Sequence, residues 1–297
     1  MRSRLLTAAA LLVAALAPSP ASAWGFEAHQ FIMTRAIELL PLELKPLFTR
    51  YRDEIVIRVK DPDLWRNVGW PEDPNHFLDF GVKEYGPYPF KELPRDYGAA
   101  LSKFGRATLE RNGLLPWRED EMFGNLRRAF EGMNRNSAFA VNDIVLFAAV
   151  VSHYIQDANQ PLHATENYDG GQTKQQGIHA RFERDLFERF KSRLTINPAP
   201  PRPVTAPRDF AFDLLLASYQ LVDPLLAADK TAVAGRTTYD DAYYEAFFSA
   251  ARPILEQRIN SSITATASII VGAWEAAGRP ALKTEMPRPV ERVRQQE

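Results

Sequence analysis

Two pairs of histidine and carboxylate residues have the spacing of one helical turn. His153 precedes Asp157 by four residues, and His179 precedes Glu183 by the same interval. Residues four apart on a helix lie on one face, about 5 to 6 Å from each other, so an imidazole and a carboxylate can converge on one ion. One such pair is commonly a salt bridge. Two pairs so close together, in a chain with only 5 histidines, indicate metal binding.

The three other histidines also lie near possible ligands. His163 follows a proline shortly after the first pair and can face a neighbouring ion. His29 is near the start of the first predicted helix. His76 lies in a proline-rich segment, downstream of Asp61 and Asp63. All the histidines can therefore serve one metal centre.

Composition excludes several alternatives to this chemistry. The sequence has no cysteine, which excludes disulfides, iron–sulfur clusters, thiolate nucleophiles and zinc fingers built on sulfur. Its formal charge of -1 provides no overall basic field for nucleic acid. With 45% hydrophobic and 25% charged residues, the chain has the composition of a folded globular protein.

The N-terminal residues have the layout of a secretory signal peptide. Arg2 and Arg4 precede an apolar run over 5–17, and Ala21-Ser22-Ala23 forms a cleavage site. The run is too short to span a bilayer, which takes roughly 20 residues. We expect residues 1–23 to be removed and the protein to be exported, periplasmic or secreted, without a transmembrane segment.

Apolar residues recur with helical spacing through most of the remaining chain. No convincing alternating run predicts a strand, so we expect an all-α fold with a single domain over 24–278 and a disordered tail over 279–297. Asn142 or Asp143 is the predicted cap of a long helix that carries His153. The segment 61–97 is predicted to be a long functional loop, and 197–207 a stiff proline-rich crossover.

The sequence resembles a known superfamily. This superfamily joins the bacterial zinc-dependent phospholipases C to the trinuclear-zinc single-strand nucleases of fungi and plants. The matching elements lie between 24 and 183. They are Trp24-Gly25 followed by His29, Asp-x-x-Arg, His-Phe-x-Asp, His-Tyr-x-x-Asp-x-Asn-Gln-Pro-x-His-Ala and Gly-x-His-x-x-x-Glu.

The resemblance implies an all-α fold of this type with three zinc ions. It implies one ion held by Asp63, His76, His153 and Asp157. A second would be held by His29, by the free amine and carbonyl of Trp24, and by Asp157 as a bridge. The third would be held by His163, His179 and Glu183.

Spacing alone does not choose between Asp61 and Asp63 as a ligand. Asp63 is preferred because Asp63-x-x-Arg66 matches the nuclease branch, in which that arginine meets the substrate phosphate. The resemblance thus implies catalytic roles for Asp63, which could orient the attacking water, and for Arg66.

The implied reaction is hydrolysis of a phosphodiester by zinc-activated hydroxide. A phospholipase C acting on a phospholipid head group is favoured by Glu183, where the nucleases usually have Asp, and by the short interval from His163 to His179. Aromatic residues of the long loop could cage a quaternary ammonium group. They are Trp65, Trp70, Phe77, Phe80, Tyr85 and Tyr88.

The main alternative is a single-strand-specific nuclease or 3'-nucleotidase. Its substrate would be single-stranded nucleic acid, with Phe77 stacking on a base and Asp79 accepting a hydrogen bond from the base edge. A weaker alternative is a non-catalytic helical protein in which zinc replaces disulfides as a structural staple. No obligate protein partner is evident from the sequence.

Overall fold

The computed structural model describes residues 24–285, and these residues form an all-α fold, as predicted. Among them there is no β-strand, and one isolated parallel bridge joins Phe80 to Thr165. The predicted signal peptide, 1–23, lies outside the described residues. The α-helices are α1 (Phe26–Leu39), α2 (Lys45–Arg50), α3 (Arg52–Arg58), α4 (Asp61–Asn67), α5 (Tyr97–Phe104), α6 (Arg106–Asn112), α7 (Leu115–Asn134), α8 (Ala140–Asp157), α9 (Ile178–Ala180), α10 (Phe187–Phe190), α11 (Pro207–Tyr219), α12 (Val222–Val233) and α13 (Asp241–Ala276).

Helix α8 is the centre of the molecule. Every residue from 148 to 165 is buried, so the second half of α8 is enclosed on all sides. A helix that is apolar around its whole circumference must be covered by neighbours. Helices α1, α3, α7 and α13 pack against it. The last turn of α8 therefore places His153 and Asp157 in the interior.

Two sequence predictions about helix boundaries were wrong. The segment predicted as a loop from Asp61 begins with a helix, α4, because Pro62 occupies the first turn, where a missing N–H is harmless. Helix α8 begins at Ala140, before the predicted caps, and Asp143 lies in its first turn. A carboxylate there is stabilised by the helix dipole, so Asp143 still favours this end.

The proline-rich segment after α4 is fixed by backbone hydrogen bonds rather than by helix. The N–H groups of Leu78 and Phe80 donate to the carbonyls of His163 and Ala164, at 2.9 and 3.1 Å. Gly113 has a φ of +99°, and a Cβ there would lie 2.1 Å from the Phe77 carbonyl oxygen. The loop therefore holds His76 next to His163.

The crossover over 197–207 contains no helix before Pro207 and packs along α13. The N–H of Val204 donates to the carbonyl of Ser268 at 3.3 Å. Gly272 allows this approach, since a Cβ on it would lie 2.2 Å from the Val204 carbonyl oxygen. The crossover and the long helix are thus in backbone contact.

The start of the predicted tail follows the surface of the helical body. The indole N–H of Trp274 donates to the carbonyl of Pro280 at 3.0 Å, and Lys283 donates to Asn136 at 2.7 Å. The rest of this segment, 286–297, lies outside the described residues.

One apolar stretch within the described range, Pro207–Val233, has the length and mean hydropathy, 1.3, of a membrane span. Helices α11 and α12 divide it, with a break at Gln220 and Leu221. Their buried residues join the protein core, and core helices commonly have this composition. The absence of a transmembrane segment stays a prediction.

Two glycine substitutions should have opposite effects on stability. Gly272→Ala improves helix propensity, but its methyl group overlaps the Val204 backbone, so we expect a loss of about 1 to 3 kcal/mol. Gly124→Ala in α7 meets only the Arg128 guanidinium at 3.5 Å and should gain about 1 kcal/mol. Urea unfolding measures both. A stabilising Gly272→Ala would contradict the close packing of the crossover on α13.

Candidate metal centre

Three groups of buried side chains place their ligand atoms within 4.8 Å of one another and could hold metal ions. All members are at most 4% exposed. The groups are His29 with His153 and Asp157, Asp63 with His76 and His153, and His163 with His179 and Glu183.

Asp157 joins the first two groups. Its Oδ1 atom lies 3.4 Å from His29 Nε2, and its Oδ2 atom lies 3.0 Å from His76 Nδ1 and 3.2 Å from His153 Nε2. One carboxylate oxygen thus faces each side. This arrangement suits a carboxylate that bridges two neighbouring cations.

The third group is formed by the 3₁₀-helix Pro161–Ala164 and by the helix that follows Gly177. His179 Nε2 lies 3.2 Å from His163 Nε2 and 2.9 Å from Glu183 Oε2. Glu183 lies in a π-helix, Arg181–Leu186. Such wide turns occur frequently at functional sites, because they re-aim side chains.

Fixed oxygen atoms orient four of the five imidazoles through Nδ1. The acceptors for His153, His163 and His179 are the carbonyls of Val59, His76 and Tyr168, at 2.8, 2.7 and 3.2 Å. For His29 the partner is the side-chain oxygen of Gln156, at 2.6 Å. Each bond engages Nδ1 and directs Nε2 into the group, as in metal-binding histidines generally.

Several buried atoms of these groups have no hydrogen-bond partner among the described residues. They are His29 Nε2, His76 Nε2, Asp157 Oδ1 and both carboxylate oxygens of Asp63. Buried polar atoms are normally paired, since an unpaired one is costly. A cation would satisfy the lone pairs that the protein leaves free.

The charges of the cluster shift its pKa values in opposite directions. Burial alone would lower the pKa of His153, but the carboxylates of Asp157 and Asp63 raise it to about 9. Burial would raise the pKa of Asp157, yet His153 and His163 hold it well below its usual range. A metal ion would have to displace the proton of His153, so binding should release protons.

His163 behaves differently from His153. Burial and the neighbouring His179 and His76 lower its pKa to about 3, although Asp157 opposes them. The imidazole is therefore neutral at physiological pH, which is the form that binds metal.

The structure distinguishes the two aspartates at the start of α4. Asp63 is buried and belongs to the second group. Asp61 is partly exposed, pairs with Arg58 at 3.7 Å and belongs to none of the three groups. Of the two aspartates, Asp63 is the one that belongs to a candidate group.

Arg66 lies one turn after Asp63 and faces a cleft. Its Nη1 atom is 3.5 Å from Asp63 Oδ1, and its Nε atom donates to Asp73. The guanidinium is thus held between two carboxylates, and Arg66 lines the cleft described below.

Trp24 is buried beside the helix that carries Asp157. Its indole N–H donates to the Gln156 carbonyl at 2.9 Å, and its ring packs against Phe182. The residue implied to begin the mature chain therefore contacts α8 one residue before Asp157.

A cleft of about 370 Å³ opens onto the candidate ligands. Phe77 and Asp79, both predicted to contact substrate, line it together. Burial raises the pKa of Asp79 to about 7, and the Glu166 carboxylate adds to this effect. The other lining residues are Arg66, Asp73, His76, Arg111, Leu162, His163, Tyr168 and His179.

The structure does not assemble the predicted aromatic cage. Phe80 and Tyr85 are buried in the core, and Trp65 stacks on Trp70 with ring centroids 5.3 Å apart. Tyr88 stacks on Tyr219. The spacing of these aromatics could not show which would face the core. Of the predicted set, Phe77 alone lines the cleft.

The roles of four residues of the site were not predicted from the sequence. Gln156 orients His29, and Gln160 Nε2 donates to Glu183 Oε2 at 2.9 Å. The cleft residues Arg111 and Tyr168 were missed too. Gln160 is the glutamine of the Asn-Gln-Pro-x-His-Ala motif, and Gln156 precedes it by four residues, which is the signal that could have found both.

Together, these features define an all-α protein with buried histidine–carboxylate groups of metal-binding geometry below an open cleft. No protein-family model matches the chain, and no curated protein matches it.

The two aspartates of α4 offer a matched test of the site. Asp63→Asn removes the charge of a buried candidate ligand. Loss of a residue that only supports a ligand lowers metal affinity by about tenfold or more, so we expect metal retention to fall by more than about tenfold here. Asp61→Asn should retain metal like the wild type, because Asp61 faces Arg58. Elemental analysis after dialysis against a weak chelator measures both. Equal retention by the two variants would remove Asp63 from the site.

Proposed function

We propose that the chain is an exported zinc-dependent phosphodiester hydrolase. The observation that carries the proposal is the position of three buried histidine–carboxylate groups below a cleft that also contains Arg66. Imidazole and carboxylate without thiolate suit zinc. The motif resemblance to the zinc-dependent phospholipases C and single-strand nucleases supports the same reaction.

The proposal assigns three zinc ions to this chain's own ligands. Asp63, His76, His153 and Asp157 would hold the first, and His163, His179 and Glu183 the third. The second would be held by His29, Asp157 and the Trp24 amine and carbonyl. That amine is an amide nitrogen until the preceding bond is cut, so this assignment links the site to export.

When bound, zinc lowers the pKa of a coordinated water and offsets charge on phosphoryl oxygens. The protein contributes the positions of the reacting groups. Arg66 would bind a phosphate oxygen, since its planar fork matches that geometry. Asp63, whose oxygens accept no hydrogen bond from the described residues, would orient the attacking water.

The preferred substrate is a phospholipid, hydrolysed as by a phospholipase C. Phe77 and Tyr168 offer aromatic faces in the cleft, and Asp79 offers a carboxylate. Such a set suits a cationic head group. Glu183, in place of the aspartate usual in the nucleases, supports the same branch.

The second candidate is a single-strand nuclease or 3'-nucleotidase. It is favoured by two guanidinium groups, Arg66 and Arg111, that line one cleft together with Phe77 and Asp79. Two arginines could contact consecutive phosphates while Phe77 stacks on a base.

Parallel assays test the function and separate the candidates. Zinc-loaded protein beginning at Trp24 should hydrolyse bis(p-nitrophenyl) phosphate, and Arg66→Ala should lower kcat/KM by about 100-fold, as for loss of a transition-state donor. Arg111→Ala should leave that small substrate unaffected, because Arg111 pairs with Glu84 and not with a candidate ligand. Phosphatidylcholine and single-stranded DNA are then compared directly.

The substrate that is cleaved distinguishes the two candidate functions. Cleavage of phosphatidylcholine but not DNA supports the phospholipase, and the reverse result supports the nuclease. A loss confined to DNA in Arg111→Ala would also favour the nuclease. Bound zinc without hydrolysis of any of the three substrates would contradict the proposed function and leave the structural-zinc alternative.

A further inference from the structure

A buried arginine lies in the sequence between two candidate ligands of the third group. Arg181 follows His179 and precedes Glu183, yet its contacts are with a different set of residues. We propose that Arg181, held by Asp229 and Tyr243, is a positioning residue that sets the zinc affinity of the His163, His179 and Glu183 group. This inference rests on the proposed zinc-dependent function.

Every nitrogen of the Arg181 guanidinium has an acceptor. Nε donates to the Tyr243 hydroxyl at 3.0 Å, and Nη1 donates to the Gln176 carbonyl at 2.7 Å. Nη2 donates to the Gln175 carbonyl at 3.2 Å and to Asp229 at 3.3 Å. A guanidinium whose three nitrogens all donate hydrogen bonds has one orientation. Arg181 therefore fixes the backbone from which its side chain extends.

Asp229 holds the other side of this network. It is 1% exposed and also accepts from Gln175 Nε2 at 2.6 Å and from the Tyr243 hydroxyl. Asp229 belongs to α12 and Tyr243 to α13. The arginine therefore ties the segment around the third group to two helices that contribute no candidate ligand.

The π-helix makes such an anchor necessary. Its wide turn begins at Arg181 itself and contains Glu183. A π-helix has poor intrinsic stability, so its register depends on the surrounding structure. If Arg181 lost its partners, the turn could relax to a regular helix and rotate Glu183 away from His179, from which it is now 2.9 Å.

The same arginine orders the loop that orients His179. The carbonyls of Gln175 and Gln176 precede Gly177, whose φ is +82°. A Cβ on Gly177 would lie 3.0 Å from Arg181 Nη1. Farther back in this loop, the Tyr168 carbonyl accepts from His179 Nδ1. The positions of His179 and Glu183, the two candidate ligands from this part of the chain, thus depend on the Arg181 guanidinium.

Asp229→Asn tests the anchor because it keeps the side-chain shape and removes the charge that faces Arg181. We expect the affinity for one zinc ion to fall by about tenfold, the lower end for an outer-shell partner. The other two affinities should not change. Tyr243→Phe keeps the ion pair and should give a smaller loss of about threefold. The readout is zinc bound per chain across a graded chelator series.

Two further variants identify the ion and control for general destabilisation. Glu183→Gln weakens the third group directly, and adding Asp229→Asn to it should cause little further loss, because both act on the same ion. Leu47→Ala creates a cavity at a buried apolar residue of α2, a helix that packs on α1 and α3 and contributes neither a candidate ligand nor a contact of Arg181. It should lower the Tm and leave all three zinc affinities unchanged.

The outcomes separate this proposal from the proposed function. Wild-type protein that binds no zinc contradicts the function. Wild-type protein that binds three ions, with Asp229→Asn and Tyr243→Phe identical to it, overturns the anchor alone. A parallel loss of all ions, with the same loss in Leu47→Ala, would overturn it as well, because the role of Arg181 would then be only structural.

Discussion

The ionised carboxylate of Asp157 is the interaction on which the rest of the site depends. It is fully buried at the end of α8, and three imidazole nitrogens lie within 3.4 Å of its two oxygens. A buried charge is tolerated only when it is paired. The fold satisfies this requirement by bringing together histidines from three separate parts of the chain.

That requirement explains much of the architecture. His29 comes from α1, and His153 shares α8 with Asp157. His76 lies on a segment with little helix. Backbone hydrogen bonds to the residues around His163 fix the position of this segment. The helical body thus supplies rigid ligands, and the loop closes the group and forms one wall of the cleft.

The orientation of the imidazoles is a second constraint on the site. Carbonyl oxygens of Val59, His76 and Tyr168 bind Nδ1 of three histidines and direct Nε2 into the groups. Backbone oxygens are rigid acceptors, so they fix the tautomer as well as the ring plane. The pairs at four-residue spacing can therefore act as ligands rather than as ordinary salt bridges.

The local part of this arrangement could be predicted from the sequence. Helical periodicity predicted the all-α fold, and the spacing of His153 with Asp157 and of His179 with Glu183 predicted two of the contacts. Long-range contacts, such as His76 with Asp157, have no periodic signal. Here the resemblance grouped residues that spacing could not.

Other features were not predictable for physical reasons. Helix α4 was predicted as loop because its proline suggests a break, although the first turn of a helix accepts one. The π-helix depends on contacts with α12 and α13 that the local sequence does not encode. Gln156 and Gln160 carry no charge, so neither their spacing nor the motif around Gln160 indicated that their side chains hold His29 and Glu183.

Anomalous diffraction at the zinc edge, from crystals of zinc-loaded protein beginning at Trp24, would locate the metal ions. Three peaks are expected. Two should lie on opposite sides of the Asp157 carboxylate, one near His29 and one near His76, and the third should lie between His163, His179 and Glu183. Absence of peaks at these residues, with zinc bound elsewhere or not at all, would contradict the assignment of these side chains as zinc ligands.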